Sequence, residues 1–523
     1  MDGSSFIKHG RNMLEYINKY IRNTEQFPVY PHVKPGYLRH LVPEKAPDQP
    51  DTWPSIMTDV EDHIMPGVTH WQHRHFHAYF PAGNSYPSIL ADMLSDAIGS
   101  VGFSWSANPA CTELEMIVVD WLAKMMKLPK HFMFSTEGSR GGGVIQGSAS
   151  ECTLVCLLAA RDRAIKDLQL KYPDEDKAVL LSKLVAYCSK QAHSSVEKAT
   201  MIGFVKLRQL PTDENYSLRG STLLHAIKND EEKGLVPFYV VGTLGTTSVC
   251  SCDNLEELGK VCSERNIWFH CDGAYAGNAL ICPEFSYLLK GFKLLDSFNF
   301  NPNKWMMVNF DCSVMWVRQK ELLISAMNVD PLYLTHDKKD ETVDYRHWTI
   351  PLSRRFRSLK LWFVIRSYGV HGLQNYIRKH VQLAKIFAAC VVSDNRFELI
   401  GQVRFGLVCF RLLGDNVRTE LLLKTINESR KLHLTPSKVD DKFVIRFAIC
   451  HPNANEDDIT YAWNVIQDEV ELILNPRMSS DSNQLNQCNN KEQENSSPIM
   501  HSLLNKLKNF NTNAQAPYFR TVE

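Results

Sequence analysis

Neither sign of charge is in excess in these 523 residues: Lys and Arg total 58, and Asp and Glu total 58. A balanced chain offers no electrostatic reason to expect a nucleic-acid or anionic-membrane partner. Long apolar runs are also missing. No stretch approaches the roughly 18 residues of a transmembrane helix. The opening MDGSSFIKHGRNMLEYINKY has no apolar core of a secretory signal. Paired cysteine motifs are scarce as well. Cys250 and Cys252 stand close together with no second pair beside them, which argues against a zinc site. The fourteen cysteines are scattered through apolar segments such as ECTLVCLLAA, so buried free thiols in a reducing, cytoplasmic compartment are expected. There is no internal repeat, no G-x-x-x-x-G-K-[ST] and no G-x-G-x-x-G, which removes the common nucleotide-binding loops.

What is present is an alternation. KLVAYCS, VPFYVVGTLG and NIWFHCD are short apolar runs bounded by polar loops and read as buried strands. ECTLVCLLAARDRAIKDLQLKY and DNLEELGKVCSERN are helical patterns between them. The fold class expected is α/β, with a large sheet covered on both faces. Residues 1–85 read as two helical patterns joined by Pro-rich loops, 86–350 as the large domain, and 351–477 as a smaller C-terminal α/β domain with strand candidates FGLVCFRLL and KFVIRFAIC. Residues 478–523 are rich in Asn, Gln and Ser and cannot build a core, so a disordered tail is expected. Within it, MHSLLNKLKNF carries one apolar helical face.

Chemistry concentrates at a few points. In GGGVIQGSASE a glycine-rich turn leads through Ser148, Ala149 and Ser150 into a long helix, whose start either is simply capped or binds an anion such as phosphate. Asp272 ends the strand run NIWFHCD, where open α/β sheets place ligands. It is a cap, a salt-bridge partner or a counter-charge for a ring nitrogen, and Gly273 and Ala274 after it would admit a flat ring. Lys304 lies in SFNFNPNKWMMVNFD, among aromatic and aliphatic residues. It is either a snorkelling lysine or a desolvated amine able to form a Schiff base. An anion cradle, a counter-charge and an amine, in that order, are the parts needed to hold pyridoxal phosphate. His193 follows the strand KLVAYCS and precedes a helix with a capping box, Ser194 to Glu197; at a strand end it suits ring stacking and proton relay. The cluster His70, His73, His75 and His77 has no acidic or Cys partner within it, so no metal is expected there.

The segments FNPNKWMMVNFDCSVMWV, QAHSSVEKA, DGAYAGNALICPEF, GFSWSANPACTELE, GGGVIQGSASE and DYRHWTIPLSRRFRSLKLWFVIRSYGVHGLQNYIRKHVQLAKIF closely resemble the group II pyridoxal-phosphate decarboxylases. The nearest branch holds the aromatic-L-amino-acid, tyrosine and histidine decarboxylases. The resemblance spans about residues 1–475 and implies the aspartate-aminotransferase-like fold (fold type I), with an obligate homodimer whose active sites lie at the subunit interface. It implies Lys304 as the Schiff-base amine, Asp272 as partner of the pyridine nitrogen and His193 stacked on the ring. Ser148, Ala149, Ser150 and Asn301 would hold the phosphate, with Thr247 nearby and Ala274 against the cofactor. Trp71, Tyr79, Phe80, Ala82, Val101 and Phe103 would line the substrate pocket. The stretch NVDPLYLTHDKKDETVDYRHW resembles the family's mobile loop, and Tyr333 its proton-donating tyrosine.

Substrate signals are mixed. Asn303 stands where vertebrate aromatic members have His, and invertebrate tyrosine decarboxylases tend to have Asn. Ser353 stands where aromatic decarboxylases usually have Gly, whereas tyrosine and histidine decarboxylases carry Ser. Most other segments look like the broad aromatic enzymes, so DOPA and 5-hydroxytryptophan are the expected substrates, tyrosine the next and histidine the third. Relatives that release an aldehyde typically replace the stacking His by Asn or the loop Tyr by Phe. His193 and Tyr333 are both kept here, so an amine is expected. A non-catalytic relative is the remaining alternative, and the intact site positions speak against it.

Overall fold

Runs of β-branched and aromatic residues with no charged side chain become strands because only a covered sheet can bury both of their faces. The computed structural model describes residues 1–329, 334, 338 and 342–474. Tyr333, most of the proposed loop around it and the Asn/Gln/Ser-rich tail lie outside the described residues. The chain falls into two units. One comprises Ala82–Val381 with Gly401–Leu407; the other comprises Met1–Pro81, Gln382–Ile400 and Val408–Glu523, of which residues to 474 are described.

The first unit is built on a seven-stranded sheet: β1 (Gly142–Gln146), β2 (Leu184–Ser189), β3 (Lys206–Leu210), β4 (Val236–Thr243), β5 (Trp268–Asp272), β6 (Ser297–Phe300) and β7 (Ser313–Val317). Their spatial order is β1-β7-β6-β5-β4-β2-β3. Strands β3, β2, β4, β5 and β6 run parallel, and β7 is antiparallel to both β6 and β1. Hence β1 runs in the direction of the parallel five. Every residue of β1, β2, β5, β6 and β7 is buried. Helices Ala149–Lys171, Ser194–Gly203 and Lys320–Met327 pack together, the first of them lying on the sheet. Gly220–Glu231 and Leu255–Glu264 cover the opposite face. There, a Cβ on Gly242 would lie 2.8 Å from Leu255, so glycine is what allows the close approach.

The stretch read as a glycine-rich turn is corrected here. Gly142 and Gly143 begin β1. A Cβ on Gly142 would sit 2.2 Å from the Phe134 ring, and one on Gly143 would sit 2.8 Å from Trp316. The glycines make room for neighbouring aromatics, and the turn is confined to Gly147. Strand propensity alone misses this segment because glycine is depleted in strands generally.

The second unit contains a smaller sheet of β8 (Phe397–Leu399), β9 (Leu407–Leu412), β10 (Thr435–Val439) and β11 (Lys442–Ala448), in the order β10-β11-β9-β8. Helices Asn416–Ser429 and Glu456–Leu474 pack against each other, the first also against β11. The histidine cluster lies in this unit, and each ring has a protein neighbour. His70 Nδ1 is 2.9 Å from the Tyr20 hydroxyl. His73 Nδ1 accepts the His75 backbone N–H at 3.0 Å. His75 stacks on Tyr461, and His77 Nδ1 donates to the Ala448 carbonyl at 3.0 Å. Among the described residues, no three His, Cys, Asp or Glu side chains group as metal ligands would.

This cluster sets an acid limit on stability. Burial pushes His73 down to about 4, helped by His75 and His70, and pushes His77 down to about 3. Both titrate near 6.5 when unfolded. Below that value the unfolded chain binds more protons than the folded one, so stability falls as pH drops from about 6.5 toward 4. Urea unfolding at stepped pH should show this decline. His77→Gln, which keeps a donor for the Ala448 carbonyl, should make it shallower.

Candidate active site

The carboxyl ends of β1, β2, β4, β5 and β6 share one edge of the large sheet, where an open α/β sheet offers a crevice. From β1 the chain passes through Gly147 to Ser148, which caps the helix Ala149–Lys171 by accepting the Glu151 N–H at 3.2 Å. Glu151 reaches back to accept the Gly147 N–H at 2.9 Å. The backbone N–H groups of Ala149 and Ser150 belong to the first helical turn, which has no intrahelical acceptors for them.

β2 leads to His193. The expected capping box, Ser194 to Glu197, is corrected: the helix Ser194–Gly203 is capped by His193 itself. Its Nδ1 accepts the Ser195 N–H at 3.1 Å and lies 2.9 Å from the Ser195 hydroxyl. A nitrogen that accepts a backbone N–H carries no proton of its own, so in the neutral ring the proton is on Nε2. Burial lowers the His193 proton affinity; Asp272 opposes the shift and Lys304 adds to it. The ring is therefore neutral at pH 7, and Asp272 and Lys304 both lie within electrostatic reach of it.

β5 ends on Asp272, which is 4% exposed. Its Oδ1 accepts the Ala274 N–H at 2.9 Å. The small residue after it packs closely on the neighbouring strand. A Cβ on Gly273 would lie 2.8 Å from the Phe298 ring of β6, so Gly273 is small to pack on its neighbouring strand. Thr243 pairs with Asp272 in the β4–β5 register, and its buried hydroxyl has no hydrogen-bond partner. Thr247 lies in the turn after β4 and is half-buried.

β6 leads through Asn301 into the short helix Pro302–Trp305 that carries the half-buried Lys304. The Asn301 N–H donates to the Ala274 carbonyl at 3.0 Å, which ties this segment to the end of β5. Asn301 Oδ1 accepts the Ser313 hydroxyl at 2.7 Å. That leaves the amide nitrogen of Asn301 as its available donor. Asn303 is 1% exposed, and neither polar atom of its side chain has a partner. Its carbonyl accepts the Gly83 N–H at 2.7 Å, which places Ala82 beside this turn in sequence.

The proposed substrate residues divide between the units. Val101, Phe103 and Ser353 flank a pinned pair in the first unit. The Gly102 N–H donates to the Arg354 carbonyl at 2.9 Å, and Arg354 Nη1 donates back to the Gly102 carbonyl at 3.3 Å. Arg354 is ion-paired to Glu115 at 2.6 Å with both side chains 1% exposed, and Glu115 also accepts the Ile145 N–H at 2.8 Å. Trp71, Tyr79 and Phe80 belong to the other unit. There Tyr79 stacks on Trp71 at 5.0 Å and adopts φ 57°, a left-handed conformation that is costly for a bulky side chain. Its N–H donates to Thr435 Oγ1 at 3.1 Å, and its carbonyl accepts from Arg446 at 2.9 Å. Both Trp71 and Tyr79 are exposed.

Sequence reasoning passed over Ser195, Ser313, Glu115 and Arg354, which hold the named residues in place. Ser195 and Arg354 lie next to residues already singled out, Ser194 and Ser353. All thirteen described cysteines are free thiols.

Residues 35–413 match the model of the pyridoxal-dependent decarboxylase conserved domain. The chain is 54% identical over 476 residues to an aromatic-L-amino-acid decarboxylase of Mus musculus, covering 91% of this chain and 99% of that relative. Among solved structures, an Oryza sativa TDC with PLP and tryptamine superposes with a TM-score of 0.87 at 35% identity, covering 91% of this chain and 99% of that one. A Rhodiola rosea 4-hydroxyphenylacetaldehyde synthase superposes with a TM-score of 0.84 at 39% identity, covering 90% and 99%.

Proposed function

Because this chain belongs to the pyridoxal-dependent decarboxylase family, with the type I fold of its structural neighbours, we propose that it converts aromatic L-amino acids, DOPA and 5-hydroxytryptophan foremost, to dopamine and serotonin with pyridoxal 5'-phosphate as cofactor. The observation that carries this reading is the 54% identity along nearly the whole length of a relative named for that activity.

The residues at the strand ends fit the cofactor by their donor chemistry. A helix N-terminus with a serine cap suits a phosphate, and the amide nitrogen of Asn301 is a further donor to it, with Thr247 close by in the turn after β4. Asp272 is a buried carboxylate able to hold a positive charge at a ring nitrogen, with Ala274 beside it. The partnerless hydroxyl of Thr243 and amide of Asn303 are buried polar groups that await a neighbour. Lys304 is the amine that would hold the aldehyde. When bound, the cofactor supplies an electron sink for the pair left on Cα as carbon dioxide departs.

The chain's own part is positioning and proton handling. Asp272 would pair with the ring nitrogen and favour its charged form. Neutral His193, locked by Ser195, offers a flat face for stacking and an N–H at Nε2. Tyr333, outside the described residues, returns a proton to Cα, and His193 assists it. Trp71, Tyr79 and Phe80, and Ala82, Val101, Phe103 and Ser353, are proposed as residues that meet the substrate. The working form is proposed to be a homodimer. The helix Gly3–Arg22 supports this, since it buries no residue of its own while exposing Phe6, Ile7 and Leu14. A cytoplasmic location is proposed on the free thiols.

Likeness to an aldehyde synthase leaves the product to chemistry, and retention of His193 and Tyr333 supports an amine. Purified protein loaded with the cofactor should be given DOPA, 5-hydroxytryptophan, tyrosine and histidine in competition. Dopamine and serotonin are expected as the main products by mass spectrometry. Tyramine or histamine alone would move the assignment to a tyrosine or histidine decarboxylase. An aldehyde with stoichiometric hydrogen peroxide would replace it by decarboxylation with deamination.

A further inference from the structure

Two separate parts of the chain are proposed to grip the cofactor's phosphate: the start of the helix Ala149–Lys171, reached from β1, and the side chain of Asn301, reached from β6. Strand β7 lies between β1 and β6 in the sheet and bonds to both parts. It is antiparallel to β6, and its register pairs Val314 with Phe300. One residue further, the same register sets Ser313 opposite Asn301. The helix lies against the same stretch of β7. Cys152 Sγ is 3.2 Å from Ser313 Oγ, and one helical turn later Cys156 Sγ is 3.3 Å from Met315 Sδ. All four of these side chains are fully buried, so the contact is closed to water.

Asn301 stands at the N-cap of the helix Pro302–Trp305, where an asparagine side chain ordinarily accepts a backbone N–H. It makes no such bond. Its Oδ1 instead accepts the Ser313 hydroxyl at 2.7 Å. A hydroxyl has one proton to give. With that proton on Asn301, the link to Cys152 is completed by the thiol, which donates its S–H to Ser313 Oγ. Burial pushes the Cys152 thiol well up, so it keeps the proton it donates. This direction is the one a phosphate requires. A phosphate dianion only accepts hydrogen bonds, so Asn301 can meet it only through Nδ2, with Oδ1 turned away. Ser313 engages the oxygen that must be turned away.

We propose that Ser313 is a positioning residue for the cofactor's phosphate. By bonding Asn301 Oδ1 it presents Asn301 Nδ2 as a donor, and through Cys152 it ties that amide to the helix start. The proposal rests on the reading that Asn301 meets the phosphate of pyridoxal 5'-phosphate. Without the Ser313 hydroxyl the amide has two orientations open to it, and one of them turns an oxygen toward the anion.

The test titrates full-length protein, freed of cofactor, with pyridoxal 5'-phosphate and with pyridoxal, which carries a hydroxyl in place of the phosphate. Visible absorbance follows binding. The proteins are the wild type, Asn301→Ala, Ser313→Ala and Ser313→Thr. Wild type is expected to prefer the phosphorylated ligand. Asn301→Ala should lower that preference about tenfold, the effect of one hydrogen bond to a charged group. Ser313→Ala should lower it about fivefold and leave affinity for pyridoxal unchanged. Ser313→Thr, which keeps the hydroxyl, should restore most of it. Thermal melts identify any variant that has lost its fold; Ser313→Cys, with a weaker donor of similar shape, then replaces Ser313→Ala and should show a smaller loss of the same kind. Equal loss for both ligands, or an unchanged preference in a folded Ser313 variant without the hydroxyl, overturns the positioning role. An unchanged preference in Asn301→Ala overturns the reading that Asn301 meets the phosphate, and the role of Ser313 falls with it. A wild type that binds neither ligand overturns the cofactor assignment itself.

Discussion

Replacing Lys304 with alanine is expected to cut turnover below about a thousandth of the wild-type rate and to leave the protein folded. The segment around Lys304 is held by its neighbours. Trp305 is fully buried, stacks on Tyr275 at 4.7 Å, and donates from Nε1 to His380 Nδ1 at 3.0 Å. Asn303 and Asn301 are fixed through their backbones to Gly83 and Ala274. Lys304 contributes a backbone N–H to the Asn301 carbonyl at 3.0 Å, and alanine keeps that bond. What alanine lacks is an amine. Lys304→Arg should fail equally, because a guanidinium stays protonated and cannot act as the nucleophile. Visible absorbance of the cofactor-treated protein and sedimentation of the same sample separate the outcomes. Lost absorbance with unchanged sedimentation marks Lys304 as the cofactor's amine. Loss of the folded assembly would make it a structural residue.

The largest effect on stability is expected at Arg354. Its ion pair with Glu115 lies 1% exposed on both sides, and breaking such a pair leaves a carboxylate buried without its counter-charge. Arg354→Met should cost about 3–5 kcal/mol in urea unfolding. The double variant Glu115→Gln with Arg354→Met should recover much of that loss, because an amide is cheaper to bury than an uncompensated charge. A loss under about 1 kcal/mol would put the pair in the range of solvated surface pairs. The same variant bears on substrate recognition. Arg354 bonds the Gly102 carbonyl and the Ile145 carbonyl, so it ties the loop of Val101 and Phe103 and the neighbouring Ser353 to β1. Any protein that folds without it should show a raised KM for aromatic substrates, with cofactor affinity less affected.

The residues proposed to carry chemistry are legible because chemistry demands unusual residues in apolar surroundings. Asp272 and Lys304 stand out as charged groups inside strand-and-turn segments that are otherwise aromatic and aliphatic. His193 is conspicuous at the end of KLVAYCS. The polar alternation in WFHCD and SFNF was equally open to inspection, and it marks His270, Ser297 and Asn299 as inward-facing. It passes unnoticed when each run is judged only by its overall hydrophobicity. The cap of the helix after His193 was less legible. The pattern Ser-x-x-Glu offers an ordinary capping box, and only the backbone at His193 (φ −65°, ψ 146°) decides that the imidazole caps instead.

Residue pattern alone establishes an α/β protein, with a serine-capped helix start, a strand-end carboxylate and an amine in fixed order. Period, burial and residue type are local properties, and they suffice for that. Tertiary structure decided what Gly143 of β1 is for, since the Trp316 ring that fills its missing side chain lies on the neighbouring strand β7, far along the chain. It also decided the partners of each anchor: Ser313 for Asn301, Ser195 for His193, and Glu115 for Arg354. The Ser195 contact is local to its helix start, whereas the other two depend on the folded sheet and its neighbours, which bring Glu115 to Arg354 across 239 positions. No local pattern encodes such a distance; only the closing of the sheet does.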